Sequence, residues 1–380
     1  MAVSIVKCDT YNEEEVRQAL INALAPLGGL SFVKAGMKIV IKANLVSFLK
    51  PEAAATTHPV MLTELTKLLC EKGAEVIVGD SPGGLYDKNF VGKVYSVTGM
   101  KEVEKVGGKL NFDFSTQNIH FNDALKAKEF SCTSYLLDAD AIINFCKLKT
   151  HGMMGLSAAA KNMFGVIPGV IKPEYHFKYK NPLDFANMII DLNCYFKPTL
   201  CITDAVVGME GNGPTAGTPR KIGAILASNN PHESDLLAAT LIGLKLENVP
   251  TLMAAHQRNL VVQNVSELEI FGDYKPFVIT DFKNIAGETN LQFGGDSLFK
   301  RIRGKIISAA LSTKPILKEK ECVGCSHCAN ICPAKAIKMV NKKPVIDRKK
   351  CIKCFCCQEF CPKGALKVGR TVISKILTKN

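Results

Sequence analysis

The sequence predicts an α/β fold: a mostly parallel sheet domain followed by a small α+β module rich in cysteine. Three observations predict it. Over the first 285 residues, short apolar runs rich in β-branched residues alternate with stretches of helical period, the pattern that builds a parallel sheet. Beyond residue 318 that alternation gives way to two runs of closely spaced cysteines. The positive charge lies with them: residues 315–380 carry 15 Lys and Arg against 4 Asp and Glu, a net of +11 in a chain of net +13.

Taken in order, residues 3–6 read as the first strand. Asn12 followed by Glu13, Glu14 and Glu15 opens the first helix, because acids suit the positive end of the helix dipole. Residues 37–41, 60–70 and 75–78 continue as strand, helix and strand, completing βαβαβ, and Thr56-Thr57-His58-Pro59 leads into the second helix as a capping sequence. The pattern resumes with a strand at 141–145, helices near 156–163 and 183–195, strands at 200–203 and 222–227, and a helix over 232–242. The expected organisation is an α/β domain over 1–285, a linker over 286–317, a small α+β domain over 318–370 and a basic tail over 371–380. Within the linker, residues 298–311 read as a basic amphipathic helix. A content of 47% hydrophobic and 22% charged residues fits an ordinary globular chain and excludes a disordered one. No apolar run approaches the roughly 18 residues of a membrane span, so no membrane partner is expected.

The cysteine runs are Cys322, Cys325, Cys328, Cys332 before Pro333, and Cys351, Cys354, Cys357, Cys361 before Pro362, each position displaced by 29. Three close thiolates suit three corners of an iron–sulfur cube. Zinc sites instead pair ligands across a long knuckle, and disulfide frameworks belong to short secreted chains. The spacing therefore points to two 4Fe-4S clusters. The module resembles the bacterial two-cluster ferredoxin domain. That resemblance implies that the fourth cysteine of each run ligates the other cluster, joining Cys361 to Cys322, Cys325 and Cys328, and Cys332 to Cys351, Cys354 and Cys357.

Cys356 reads as a small buried thiol beside the second cluster. Cys8, Cys70, Cys132, Cys146, Cys194 and Cys201 lack metal spacing and read as reduced core thiols, which suits a cytoplasmic protein. The lysines of the module offset the charge of the clusters, about −2 for each oxidised cube with its thiolates. The surplus that remains predicts an acidic electron partner, a small ferredoxin or flavodoxin. No nucleic acid is expected, since the charge is interleaved with cluster ligands and no nucleic-acid-binding signature accompanies it.

In the α/β domain, polar residues gather where ligands bind in open sheets, at the carboxyl ends of strands. Strand 75–78 runs into Gly79-Asp80-Ser81-Pro82-Gly83-Gly84, a turn whose backbone N–H groups can approach an anion; Asp80, Ser81, Gly83 and Gly84, with Lys147, are the candidates for binding a cofactor. Lys147-Leu148-Lys149-Thr150-His151-Gly152 closes strand 141–145, with Lys161-Asn162 about one helix further on. Asp204 ends strand 200–203, and Glu210 lies in the glycine-rich stretch 208–215. Lys149, His151, Lys161, Asp204 and Glu210 are the catalytic candidates: lysines to bind charge, and His151, Asp204 or Glu210 to move protons. The loops holding Asp80, Lys147, Lys149, His151, Lys161, Asp204 and Glu210 are expected to form one pocket at the carboxyl edge of the sheet. There is no G-x-G-x-x-G opening a helix and no P-loop, and no motif marks a flavin or other second redox cofactor, although many flavin sites carry no short signature.

The runs 79–84, 147–152, 161–165 and 210–214, followed by the doubled cysteine motif with its Cys356-Cys357 pair, resemble the domain-of-unknown-function 362 family over nearly the whole chain. The resemblance implies a fold, a domain order and an iron–sulfur association, with no general activity. His151, Gly155, Lys161 and Pro168-Gly169 are also similar to a motif of the lactate racemase N-terminal domain, with a longer Lys-to-Pro spacing here. The expected function is an iron–sulfur oxidoreductase whose clusters pass electrons to or from a small anionic or carbonyl-containing substrate. The alternative is a non-catalytic electron carrier or docking scaffold.

Overall fold

Strands carry the chain into one large sheet and three small ones in the computed structural model, which describes residues 2–285 and 313–369. The strands of the first domain are β1 (Ala2–Lys7), β2 (Lys38–Lys42), β3 (Glu75–Gly79), β4 (Lys109–Leu110), β5 (Thr116–His120), β6 (Glu129–Thr133), β7 (Ala141–His151), β8 (Gly155–Ser157), β9 (Leu200–Glu210), β10 (Thr218–Ser228) and β11 (Glu269–Phe271). Nine of them form a sheet in the order β11-β1-β10-β9-β7-β2-β3-β4, with β8 hairpinned onto β7. Its central run β9-β7-β2-β3-β4 is parallel, and only β10 and β8 run against the rest. The sheet is therefore mostly parallel, as its sequence pattern requires.

Helices cover both faces, so the central strands bury both sets of alternating side chains. On one face Ile39, Ile41, Ile143, Phe145 and Ile202 pack against α1 (Glu13–Leu24), α2 (Pro59–Cys70) and α3 (Lys88–Val97). On the other, Val40, Ile142 and Leu148 pack in a core with α4 (Ala159–Asn162), α5 (Lys172–Lys178), α6 (Pro182–Phe196), α7 (Pro231–Leu241) and α8 (Pro250–Gln257). The Asn12 side chain accepts the N–H groups of Glu14 and Glu15 and caps α1. Pro59 occupies the first turn of α2, where a missing N–H costs nothing.

Three local expectations are corrected. The run 147–151 is not a loop: β7 continues through it, because β8 pairs with Lys149, Thr150 and His151 and every lysine finds a destination off the strand. Likewise β9 runs past Asp204 to Glu210, held by β10, whose Thr218 pairs with Glu210. In place of a helix over 156–163 there is β8 and the single turn α4, because Gly155 (φ 70°) reverses the chain and the Asp235 carboxylate fixes the N–H groups of Ala159 and Ala160. The amphipathic segment 298–311 and the tail 371–380 lie outside the described residues.

The C-terminal module is a pair of two-stranded sheets, β12 (Lys314–Leu317) with β15 (Leu366–Gly369), and β13 (Ile337–Val340) with β14 (Lys343–Ile346). Its first strand thus starts at Lys314, inside the stretch read as linker. The 29-residue repeat is structural as well as chemical. It maps β12 onto β14, β13 onto β15, and the one-turn helix His327–Asn330 onto Cys356–Glu359. Left-handed backbone recurs in step, at Gly324 and Lys353, Ser326 and Phe355, and Lys335 and Gly364. No described helix is long and apolar enough to cross a membrane.

Candidate functional site

Two small cavities lie in the module. Cys322, Cys325, Cys328 and Cys361 line the first; Cys351, Cys354, Cys357 and Cys332 line the second. Each draws three cysteines from one run and the fourth from the other. The N–H of Ala336 reaches Cys332 Sγ, and that of Ala365 reaches Cys361 Sγ, both at 3.3 Å, the same contact in each half of the repeat. Among the described residues no group of three or more His, Cys, Asp or Glu is placed to hold a single metal ion. A cube makes no such demand, since its four thiolates bind four different irons. The donor sets therefore fit 4Fe-4S clusters. Cys356 is fully buried and lines neither cavity.

A third cavity opens at the carboxyl ends of β2, β3 and β7, where ligands sit in open α/β sheets. Four buried lysines line it. Lys42 is complete: its ammonium donates to Asp80 Oδ1 at 2.6 Å, Ala43 O at 2.8 Å and Asn162 Oδ1 at 3.0 Å. Asp80 in turn accepts the N–H of Leu45 at 2.8 Å and that of Ser81 at 2.9 Å. Lys149 donates only to neutral groups, Asn44 Oδ1 and Ala55 O, both at 2.6 Å. Burial, then the charge of Lys161, pulls its pKa down to about 7. Lys172 donates to Ser81 O, and burial lowers its pKa to about 8. Lys161 lies 5.4 Å from the centre of the Phe164 ring and has no hydrogen bond or ion pair among the described residues; burial lowers its pKa too.

His151 completes the wall. Its Nδ1 accepts the N–H groups of Met153 and Met154, both at 3.2 Å, which puts the proton of the neutral ring on Nε2. That nitrogen is buried without a hydrogen-bond partner, 3.9 Å from Glu359 Oε2. Burial and the nearby lysines hold the ring well below its ordinary pKa, so it stays neutral.

Glu359 comes from the module. The helix Cys356–Glu359 docks on the α/β domain: Gln358 Nε2 donates to Asn212 O at 3.0 Å and Gly213 O at 3.3 Å, and Thr215 Oγ1 donates to Glu359 O at 3.1 Å. The approach is close enough to require glycine. A Cβ at Gly83 would lie 2.4 Å from the Phe360 ring, and one at Gly152 would lie 2.9 Å from Val368 and 3.3 Å from Phe355.

Of the residues expected to share one pocket, Asp80, Lys149, His151 and Lys161 do so, and Ser81 and Gly83 line it beside them. Lys147, Asp204, Glu210 and Gly84 do not line it. Lys147 pairs with Asp204 at 2.8 Å, its register partner across β7 and β9, and Tyr11 OH accepts from Lys147 and donates to Asp204. Glu210 lies six residues further along β9, about 20 Å at the usual rise per residue, and its carboxylate accepts the N–H of Lys283. Gly84 packs under the Phe90 ring.

Residues 39–240, just over half of the chain, match the family described as Domain of unknown function (DUF362). The chain belongs to the DUF362 family. Residues 314–362 match a 4Fe-4S dicluster domain, so this DUF362 chain ends in an iron–sulfur electron-transfer domain. It is 30% identical over 264 residues, 68% of its own length and 79% of the relative's, to the Thylakoid-associated protein sll1697 of Synechocystis sp.. The lactate racemase apoprotein from Thermoanaerobacterium thermosaccharolyticum aligns at 14% identity with a TM-score of 0.35, over 55% of this chain and 51% of that one.

Within this DUF362 chain, sequence reasoning noted Lys42, Asn44 and Asn162 without giving them a role in the site, and missed Lys172 and Glu359. Lys172 follows Pro168-Gly169 with no motif of its own. Glu359 had a signal: it is one of 4 acids among 15 bases in residues 315–380, and it falls between two cysteines of the second run.

Proposed function

We propose that this chain is an iron–sulfur oxidoreductase whose C-terminal clusters exchange single electrons with a small anionic substrate held in the lysine-lined pocket. One observation carries the reading. Glu359, which lines the pocket, lies between Cys357 and Cys361, so the pocket and the module share a wall. Cys322, Cys325, Cys328 and Cys361 would hold one cluster, and Cys351, Cys354, Cys357 and Cys332 the other. When bound, the clusters supply one-electron chemistry at low potential.

The chain's own residues supply the rest. Lys161 and Lys172 hold the negative charge of the substrate. Lys149, whose pKa of about 7 allows it to give or take a proton at neutral pH, is the acid–base group, and His151 donates from Nε2. Lys42, Asp80 and Asn162 set the floor of the pocket. The basic face of the module receives electrons from an acidic ferredoxin or flavodoxin in the cytoplasm.

Anaerobic reconstitution tests the cofactor content: about eight iron and eight sulfide per chain are expected, and about four, or zinc, would overturn it. Cys332→Ser should disturb the cluster of the second run, read by electron paramagnetic resonance. Lys149→Ala and His151→Ala should abolish turnover with iron content intact. Clusters that no small molecule reoxidises, in a protein that retains no ligand by mass analysis, would make the chain an electron carrier instead.

A further inference from the structure

The pocket contains more positive charge than its own residues neutralise. Lys42 is matched by Asp80 and adds nothing to the balance. Lys149, Lys161 and Lys172 then stand against one remaining carboxylate, Glu359, and none of the three forms an ion pair with it among the described residues. When all three are protonated, three ammonium groups less one carboxylate leave a surplus of two charges. Uncompensated buried charge is costly, and a protein tolerates it where a ligand completes the balance.

Hydrogen-bond capacity points the same way. Lys161 has all three N–H groups unused, Lys172 has one of three committed, and Lys149 has two of three committed. His151 adds the buried, unpartnered Nε2–H. These four groups present donors only, the complement of an oxyanion. The clusters are not part of the pocket wall. No pocket lysine lines the second cluster cavity, and the module carries its own excess of base.

We infer that the pocket binds a small oxyanion of charge −2, a phosphate or a dicarboxylate, anchored by Lys161 and Lys172 and completed by Lys149 and His151 Nε2–H. This narrows the substrate class of the oxidoreductase reading and takes its biological role from that reading. Binding itself needs no electron transfer. Entry of the dianion favours the charged forms of Lys149 and Lys172, so binding takes up protons at neutral pH.

The test is titration calorimetry on the full chain, cluster-loaded and oxidised, with inorganic phosphate, succinate and acetate in turn. At least one dianion should bind about tenfold or more tightly than acetate; phosphate alone would identify a phosphate site, succinate alone a dicarboxylate site. Lys161→Gln should weaken that binding by about tenfold or more, the usual worth of a charged hydrogen bond, and Lys161→Arg should recover most of it. Glu359→Gln should tighten it, a sign opposite to that of a merely damaged fold, with iron content confirming that the clusters remain. The proposal is overturned if no dianion binds, if acetate binds as well, if Lys161→Gln changes nothing, or if Glu359→Gln weakens binding. If a dianion binds but no reducible dianion, fumarate included, reoxidises the reduced clusters, the oxidoreductase reading falls and the site stands. A chain that binds no dianion yet passes electrons to a neutral molecule would do the reverse.

Discussion

Lys147 and Lys149 stand two residues apart on β7, both fully buried, and meet opposite fates. Lys147 has an ionic partner, Asp204 at 2.8 Å, and the phenol of Tyr11 at 2.7 Å ties the two together. Lys149 has only a side-chain amide oxygen and a backbone carbonyl. Burial lowers both pKa values; Asp204 opposes it at Lys147, whereas Lys161 adds to it at Lys149. The divergence follows from β9. Two residues of β7 span five of β9 here, Lys147 opposite Asp204 and Lys149 opposite Met209, so the carboxylate is in register with one lysine and not the other. A buried ammonium with its carboxylate is a finished structural element, and one without it retains the capacity to bind or to transfer a proton.

The largest effect should come from exchanging those fates. Asp204→Ala leaves Lys147 buried and unpaired, and should cost about 3–5 kcal/mol of stability, measured by urea unfolding. Lys149→Met removes a buried amine whose protonation no carboxylate balances, and should stabilise the chain, by on the order of 2 kcal/mol at neutral pH, while abolishing turnover. If both substitutions destabilise alike, the distinction between the two lysines fails.

A second, smaller effect lies in the pH dependence. Lys149 titrates at about 7 in the fold against an ordinary 10.5, so between those values the unfolded chain binds more protons and stability rises with pH. Its contribution is present above the upper value and is lost as pH falls towards 7, with a slope of about 1.4 kcal/mol per pH unit. The charged groups that set this are Lys161 and Lys147, which lower the pKa, and Glu359 and Asp80, which raise it. Unfolding followed from pH 7.5 to 10 should show that slope removed in Lys149→Met and unchanged in Asn12→Ala, which touches only the α1 cap. Equal slopes in wild type and Lys149→Met would mean that Lys149 is charged throughout.

What was legible in the sequence divides along the same line. The cluster cysteines were readable because their ligand set is written in local spacing, and the displacement of 29 reappears in the backbone at Ser326 and Phe355. The alternation of strands and helices was readable because burial imposes a period. The ends of β7 and β9 were not, because Lys147, Lys149, Asp204 and Glu210 are polar residues that remain in strands only through partners distant in the chain, Asn44, Tyr11, Lys283 and Asp204 itself. For the same reason the expected single pocket split, and Lys172 and Glu359 entered it unannounced. Ser81 O lies 91 residues from Lys172 in sequence, a relation that no local pattern encodes.

The last and smallest effect contrasts the buried lysines of the pocket with the exposed ones of the module. Lys342, Lys349 and Lys350 are exposed and free to steer an acidic carrier, whereas Lys343 donates to Glu319 O at 2.8 Å and Cys322 O at 2.9 Å and so braces the first cysteine run. Reversing the charge of Lys342, Lys349 and Lys350, with Lys343 left in place, should slow association with an acidic ferredoxin several-fold at low salt, measured by stopped-flow cluster reduction. Raising ionic strength to physiological levels should produce a similar loss in wild type, because the screening length falls to about 8 Å. Binding of the dianion by the buried lysines of the pocket should respond far less to the same salt, since buried charges are poorly screened. An association rate that ignores both salt and charge reversal would show that the exposed lysines serve only to offset the clusters, and the contrast between surface and pocket would then be one of position alone.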